Sequence, residues 1–541
     1  MRTLDSTTDN NTRCLLLGVV LCFAFAFAIR VAHFSNEPIT DELYHLLAAG
    51  SWVEDGTYGI ADGEYTRARA FTTMVGLVDR ISGGSVDAIR IFCITLGASL
   101  VAALFTWTWL YAGRGAAIIA GAILAIEPAA IFLSQYIRFY SLHALVFFLL
   151  AWCSWSFVYS STYVYRWLLG AGIIGLALFG IHLQVTTLVG MAGIGLWAAV
   201  VKRQQILGLV PGTVPRIIAV FALTSAFAVL AFMFRDSILS LLATYRESAL
   251  WNSNDNALYY YILYRDELGV LWSLAPLAIV VALLSRPAPA FFCTCIFITA
   301  FVIQSFGGMR SERFMFYALP WFFIIWGIAA SALARALKTI LDKCMAETGI
   351  LASDKAWNRL RPYISATTIA AIAGFAVLTI PAFETFARMT LGKPSNPPEY
   401  WDRYRTHWQE SAAFLRNAVA GVDVTVASQP LQAIYYLGDV DYTLNATTLA
   451  DIAPPGTHSK MDPRTGRLVF DDVASLRQIV ACNSSGAVII HKPAWRNPTR
   501  VGDEVADFIE ARFESVSIPT KSDLLLFRWS DAITDRERCK Q

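Results

Sequence analysis

"CLLLGVVLCFAFAFAIRVAHF", residues 14–34, and the "EPITDELYHLLAAG" that follows at 37–50 decide how this chain is read. The first stretch is apolar over a length that crosses a hydrocarbon core of about 30 Å, which takes roughly 20 residues of helix. It is longer than the apolar region of a signal peptide and lacks a small-residue cleavage site, so it reads as an uncleaved first span. The second stretch sets Glu37, Asp41 and Glu42 within a few residues of the lipid boundary. Carboxyl groups there either start a helix or belong to a site, and the rest of the sequence has to choose.

Of the 541 residues, 56% are hydrophobic and 16% charged, against about 25% charged in soluble domains. Mean hydropathy is +0.50. The balance is that of a polytopic membrane protein, and the net charge of +2 gives no reason to expect nucleic acid or another polyanion as a partner. Cys22, Cys93, Cys153, Cys293 and Cys295 lie in apolar stretches without metal-ligand spacing and read as small core residues. Cys482 and Cys539, in the polar C-terminal region, are candidates for a disulfide.

Hydropathy and length predict about eleven spans. They fall near 14–34, 90–111, 115–133, 141–158, 166–181, 184–201, 217–234, 269–285, 289–306, 314–334 and 364–383. With the N-terminus inside, the loop at 335–362 is also inside, with Arg335, Lys338, Lys343, Lys355, Arg359 and Arg361, as the positive-inside rule prefers. An odd count places 384–541 outside, on the side of the acidic stretch. The expected division is therefore a membrane domain over 1–383, with 35–88 as its first external loop, and an extracytoplasmic domain over 384–541. In the latter, "VDVTV", "GAVII" and "DLLLFRW" read as strands, while "HWQESAAFLRNAV" and "DEVADFIEARF" read as amphipathic helices. This is a small α/β domain.

Thr40 reads as an N-cap with Asp41 and Glu42 in the first helical turn, where the helix dipole favours acids. Capping and function are about equally supported on that pattern alone. Two more passages weigh toward function. "IEPAAIFLSQYIRFYSLHALVFFLLAW", 126–152, puts Glu127 at an outer span end, followed by Gln135, Tyr136, Arg138 and Tyr140. "GGMRSERFMFYALPWFFIIWG", 307–327, puts Arg310 and Arg313 at another outer helix start. A single arginine at a membrane face is often a snorkelling anchor. Several of them, with acids at the same face, suit a site that holds an anionic lipid headgroup beside a base. The loop at 235–268, with Trp251, Tyr260 and other aromatics, reads either as an acceptor or lipid groove or as an interfacial aromatic belt.

Asp41-Glu42 after the first span resembles the acidic pair in the first external loop of the protein O-mannosyltransferases. It is equally similar to that of the lipid A aminoarabinose transferases. Both belong to the GT-C superfamily of polyprenyl-phosphate-sugar-dependent glycosyltransferases. "QYIRFYSL" resembles the family's Arg-aromatic stretch after the second external loop, and "SERFMFYALP" its Arg-aromatic-Leu-Pro element. "GEYTRARAF", 63–71, sits where bacterial members carry an acid followed by Lys-Pro-Pro; the prolines are absent and Arg67 stands near the lysine position. The resemblance covers roughly residues 10–335.

The resemblance implies a GT-C-like polytopic helical protein with an appended α/β domain. The implied reaction is transfer of a sugar from a polyprenyl phosphate to an acceptor hydroxyl at the outer face, with inversion. Asp41 is then the general base and Glu42 its support or an acceptor contact. Arg138, Arg313, Arg67 and Arg310 are the candidates for the leaving phosphate. Glu127, Tyr136, Tyr140, Trp251 and Tyr260 are the candidates for an acceptor or lipid groove. No cofactor is obligatory; a divalent cation is optional, with Glu64 and Glu127 as weak candidate ligands. The partners are a polyprenyl-phosphate sugar and an acceptor protein, lipid or envelope glycan, at a bacterial inner membrane. The rivals are a lipid-linked-sugar flippase or transporter, and a receptor or envelope scaffold whose working part is the C-terminal domain.

Overall fold

The computed structural model describes residues 6–32, 34, 37–203, 257–307, 310–347, 386, 407–519 and 522–530. It falls into two compact units. One comprises Met1–Phe34, Arg90–Ser248 and Asn254–Pro394; the other comprises Ser35–Ile89, Ala249–Ser253 and Ser395–Gln541.

The first unit is helical. Among the described residues, six helices are long and apolar enough to cross a membrane: Asn11–Val31, Val86–Tyr111, Tyr140–Tyr159, Tyr163–Leu183, Pro287–Ser305 and Leu319–Ile340. The pair Arg114–Ile126 and Pro128–Gln135, bent by 59°, makes a seventh if taken as one broken span. Among the described residues the expected spans are thus met in part. The expected spans at 217–234 and 364–383 lie outside the described residues. Those at 184–201 and 269–285 are apolar but shorter helices, Thr187–Val201 and Ala275–Ser285. The second is short because the chain breaks at Gly269 and again at Leu274, before Pro276.

Leu16, Leu17, Val20 and Leu21 on the first helix, and Trp167, Leu168 and Ile174 on the helix Tyr163–Leu183, project outward and exposed, which in a membrane protein is the lipid-facing surface. Inside, Trp107, Trp155, Trp197, Phe292 and Trp321 pack edge to face and in stacks, with centroids 4.6–5.6 Å apart for pairs such as Trp197–Phe292 and Trp107–Trp321. Gly327 lets two helices approach closely: a Cβ there would lie 2.4 Å from the Ala116 carbonyl oxygen.

The second unit is α/β. Its seven-stranded sheet contains β3 (Val424–Ala427), β4 (Tyr442–Leu444), β5 (Ser459–Met461), β6 (Leu468–Phe470), β7 (Gly486–His491), β8 (Glu514–Val516) and β9 (Leu524–Trp529). The order is β5-β6-β4-β3-β7-β9-β8. Strands β6, β4, β3 and β7 run parallel, and antiparallel strands close both edges. All six residues of β7 are buried, as expected of a strand covered on both faces. The expected helices form at Trp408–Val419 and Asp503–Arg512.

Alternation along the strands sends Val424, Val426, Val488 and Ile490 into one core layer with Val505 and Ile509. Ala427, Ala487, Ile489 and Leu526 enter the other layer, where they meet Trp408, Leu415 and Leu431. That second layer also holds Leu43, Ala48, Ile60 and Tyr65. The helix Thr40–Asp55, the hairpin β1 (Gly59–Ile60) and β2 (Gly63–Glu64), and the helix Arg69–Ser82 thus fold with the C-terminal sheet, in one unit.

Candidate functional site

The acidic stretch lies in the second unit. Thr40 was expected to cap the helix; instead Ile39 occupies the N-cap position and Thr40 is the first helical residue. Isoleucine has no acceptor, so the cap comes from the third position: Glu42 Oε2 accepts the Ile39 N–H at 2.9 Å, and the Glu42 side chain is 1% exposed. Glu37 Oε1 accepts the N–H of Trp408 at 2.9 Å, satisfying the first donor of the helix Trp408–Val419. Two of the three carboxylates thus serve helix ends. Asp41, half-buried, sits in the first turn one helical step before Tyr44. Burial raises the Tyr44 hydroxyl above its ordinary pKa, opposed by the Arg464 guanidinium and reinforced by the charges of Asp462 and Asp41. Glu64, on β2, is exposed and ion-paired with Arg69 at 2.7 Å, and Arg67 is exposed just beyond it.

The arginine-aromatic elements lie in the first unit. Pro128 has no N–H and breaks the helix that began at Arg114. Both new helix ends find partners. Arg30, buried, donates to the carbonyls of Leu124 at 3.2 Å and Ala125 at 3.0 Å, and to Ser134 Oγ at 3.1 Å. Glu127 accepts the Ala130 N–H as the N-cap of Pro128–Gln135. A positive charge at the closing C-terminus and a negative one at the opening N-terminus match the helix dipoles. Gln135 Nε2 donates to the Arg30 carbonyl at 2.6 Å, and Arg90 donates to the Gln135 carbonyl at 3.3 Å.

Immediately beyond, Arg138 and Arg313 converge. The Arg138 guanidinium lies 5.4 Å from the Phe139 ring centroid and 5.7 Å from that of Tyr140. The Arg313 guanidinium lies 6.0 Å from the same Tyr140 ring and 5.4 Å from Phe314. Arg138 is 3% exposed and Tyr140 is buried. Tyr136 stacks on Tyr140 at 6.2 Å. Tyr260 hydroxyl donates to the Ser311 carbonyl at 3.0 Å and accepts its N–H at 3.3 Å, two residues before Arg313. Arg310 Nε donates to the Ser305 carbonyl at the end of Pro287–Ser305. Trp251 lies outside the described residues.

Sequence reading did not assemble three features. Arg30 and Arg90 build the floor beneath the Arg138 segment, and a lone arginine at the end of an apolar run was the available signal. Glu267 neighbours Glu312 and Glu127: burial first, and then their negative charges, push its carboxyl well above the ordinary range. Nothing in the local sequence marked Glu267. Among the described residues, no three His, Cys, Asp or Glu side chains are grouped to hold a metal ion.

No family model matches this chain, and no curated protein sequence matches it. Solved structures do. ArnT from Cupriavidus metallidurans, crystallised with undecaprenyl phosphate, superposes with a TM-score of 0.59 at 10% identity, covering 97% of this chain and 99% of that one. Its apo structure gives 0.60 at 11% identity over the same shares. The archaeal oligosaccharyltransferase AglB from Archaeoglobus fulgidus, in complex with an inhibitory peptide and a dolichol-phosphate, gives 0.51 at 14% identity, covering 85% of this chain and 64% of that one. Both are GT-C proteins, and the fold of this chain is the GT-C fold.

Proposed function

We propose that this protein transfers a sugar from a polyprenyl-phosphate-linked donor to an acceptor hydroxyl at the outer face of a bacterial inner membrane, with inversion at the anomeric carbon. The observation that carries the reading is the convergence of Arg138 and Arg313 on Tyr140 at the start of a spanning helix. Two guanidiniums held by aromatic faces suit a phosphate tethered to a lipid tail. The likeness in fold to ArnT and AglB, whose structures hold a polyprenyl phosphate and a dolichol-phosphate, supports it further.

In this reading the bond between the anomeric carbon and the phosphate oxygen breaks, and its electron pair leaves with the phosphate. Arg138 and Arg313 neutralise the growing charge. Arg67 and Arg310 are lesser phosphate contacts, and Tyr136, Tyr140, Tyr260 and Glu127 border the lipid or acceptor. The acceptor oxygen bonds to the opposite face of the anomeric carbon while Asp41 takes its proton. Glu42 holds the turn that carries Asp41 by its bond to Ile39. A single lipid phosphate can leave with arginines alone, so a divalent cation is optional, with Glu64 and Glu127 as its candidate ligands. The acceptor is a protein, a lipid or an envelope glycan. Cys482 is disulfide-bonded, which fits an extracytoplasmic, oxidising compartment for the C-terminal domain.

The test is release of free polyprenyl phosphate from a panel of polyprenyl-phosphate sugars, by wild type and Asp41→Asn. Release by wild type alone supports the reaction class and the base. Equal release by both removes Asp41 as the base, and binding without release by either favours the flippase reading or a missing acceptor.

A further inference from the structure

We infer that the C-terminal α/β domain positions the catalytic carboxylate, and that Gln432 and Arg464 are positioning residues for Asp41. The inference rests on the proposed role of Asp41 and adds to it a task for a domain that the sequence left without one.

Three separate parts of the C-terminal domain reach the short segment around Asp41, all within one compact unit. Glu37, four residues before it, accepts the N–H of Trp408. Thr40, the residue before it, accepts a hydrogen bond from Gln432 Nε2 at 2.7 Å. Gln432 is 1% exposed on the helix Pro430–Leu437, so its amide is held in one place by packing. Tyr44, three residues after Asp41 and on the same helical face, lies under the Arg464 guanidinium, 5.4 Å from ring centroid to charge.

Arg464 is itself fixed. Asp462, fully buried, grips its guanidinium at two points, 2.9 and 3.1 Å, and also accepts the Arg464 backbone N–H at 2.9 Å. A bidentate pair of this kind sets orientation as well as charge. The turn that carries Arg464 is locked to the hairpin that follows the helix. Asp62 N–H donates to the Thr465 carbonyl at 3.2 Å, Glu64 N–H donates to the Pro463 carbonyl at 3.1 Å, and Arg467 pairs with Asp62 at 2.6 Å. Tyr65 returns from that hairpin to stack on Tyr44 at 4.8 Å. A helix whose only task was to close a loop would need its apolar face buried. This one, with the segment that leads into it, is also pinned by polar contacts at residues 37, 40 and 44, on either side of Asp41.

A base in general acid–base catalysis has to be placed closely, and an error of about 1 Å costs up to roughly a hundred-fold in rate. The full-length protein in detergent, with the polyprenyl-phosphate sugar that wild type cleaves fastest, provides the test. Gln432→Ala and Arg464→Ala are expected to lower kcat about ten-fold at an unchanged KM for the donor, with Arg464→Lys between Arg464→Ala and wild type. Combined with Asp41→Asn, neither substitution should lower the rate further, because the group they position is already gone. Val505→Ala, in the opposite core layer, serves as the comparison: it should lower the unfolding temperature and leave kcat alone. Equal losses with and without Asp41, losses in KM only, or a kcat loss in Val505→Ala matching its lower unfolding temperature would each overturn the inference. If wild type releases no phosphate, or Asp41→Asn is fully active, it is the proposed reaction that fails and the inference falls with it.

Discussion

Replacing Tyr140 tests whether the two arginines work as a pair. Its ring lies under both guanidiniums, at 5.7 Å from Arg138 and 6.0 Å from Arg313. Such contacts are worth about 0.5–1 kcal/mol when exposed and about 2 when desolvated. Arg138 is buried and Arg313 half-buried, so the two together come to about 3 kcal/mol. Expressed wholly in the barrier, that is roughly a hundred-fold in rate. Each arginine keeps a second ring, Phe139 or Phe314 at 5.4 Å, so about half of the restraint survives. Tyr140→Leu should therefore lower kcat about ten-fold, and Tyr140→Phe, which keeps the face, should stay within about three-fold of wild type. Arg313→Ala sets the scale, with an expected loss of about a hundred- to a thousand-fold, as for removal of one transition-state donor. Polyprenyl phosphate released per minute is the measurement. A Tyr140→Leu enzyme at wild-type rate would refute the pairing. Tyr140→Phe as impaired as Tyr140→Leu would show that the hydroxyl, not the ring face, is what matters.

Three further outcomes follow from the second unit. Gly63→Ala would place a Cβ 2.5 Å from the backbone of Arg464, Thr465 and Gly466; since backbone cannot swing aside, thermal unfolding should show a loss of about 1–3 kcal/mol, and an unchanged midpoint would mean that the hairpin does not seat there. Glu42→Ala should cost about 1–2 kcal/mol by leaving the Ile39 N–H without its acceptor, while Glu42→Gln keeps an acceptor oxygen and stays close to wild type; identical midpoints for both variants would count against the cap. His491, buried on β7, has its pKa lowered to about 4 by burial and by Arg500, with Asp523 opposing. It stays neutral in the folded protein, so its contribution is whole above pH 6.5 and is lost as pH falls toward about 4, up to about 3 kcal/mol. His491→Asn should flatten the stability profile over that window in pulse proteolysis of the whole chain, and an unaltered profile would exclude His491 as its source.

Local patterns carried a good part of this architecture. The strands at "VDVTV", "GAVII" and "DLLLFRW" and the helices at both ends of the C-terminal domain were legible because alternation and 3.6-residue periodicity depend only on neighbours in sequence. Span counting was less secure where proline or glycine cut an apolar run, as at Pro128 and Gly269, since hydropathy averages over the break. Thr40 had the right chemistry for a cap but not the right position; Glu42, three residues after the N-cap Ile39, took the role, and the threonine hydroxyl went to Gln432.

What the sequence determined alone was class: a bilayer accepts long apolar helices, and charged residues gather where such helices end, so the acidic and arginine motifs stand out in the sequence itself. Tertiary structure decided the groupings. Leu43 and Ala48 would suit any apolar surface, and only the fold shows them in the core layer beneath the C-terminal sheet. Arg138 and Arg313 could each have been a snorkelling anchor, and only packing brings both to one tyrosine ring. The physical reason is the same in both cases. Periodicity records which face of an element is apolar or charged, whereas the partner of that face is chosen by shape and burial across the whole chain.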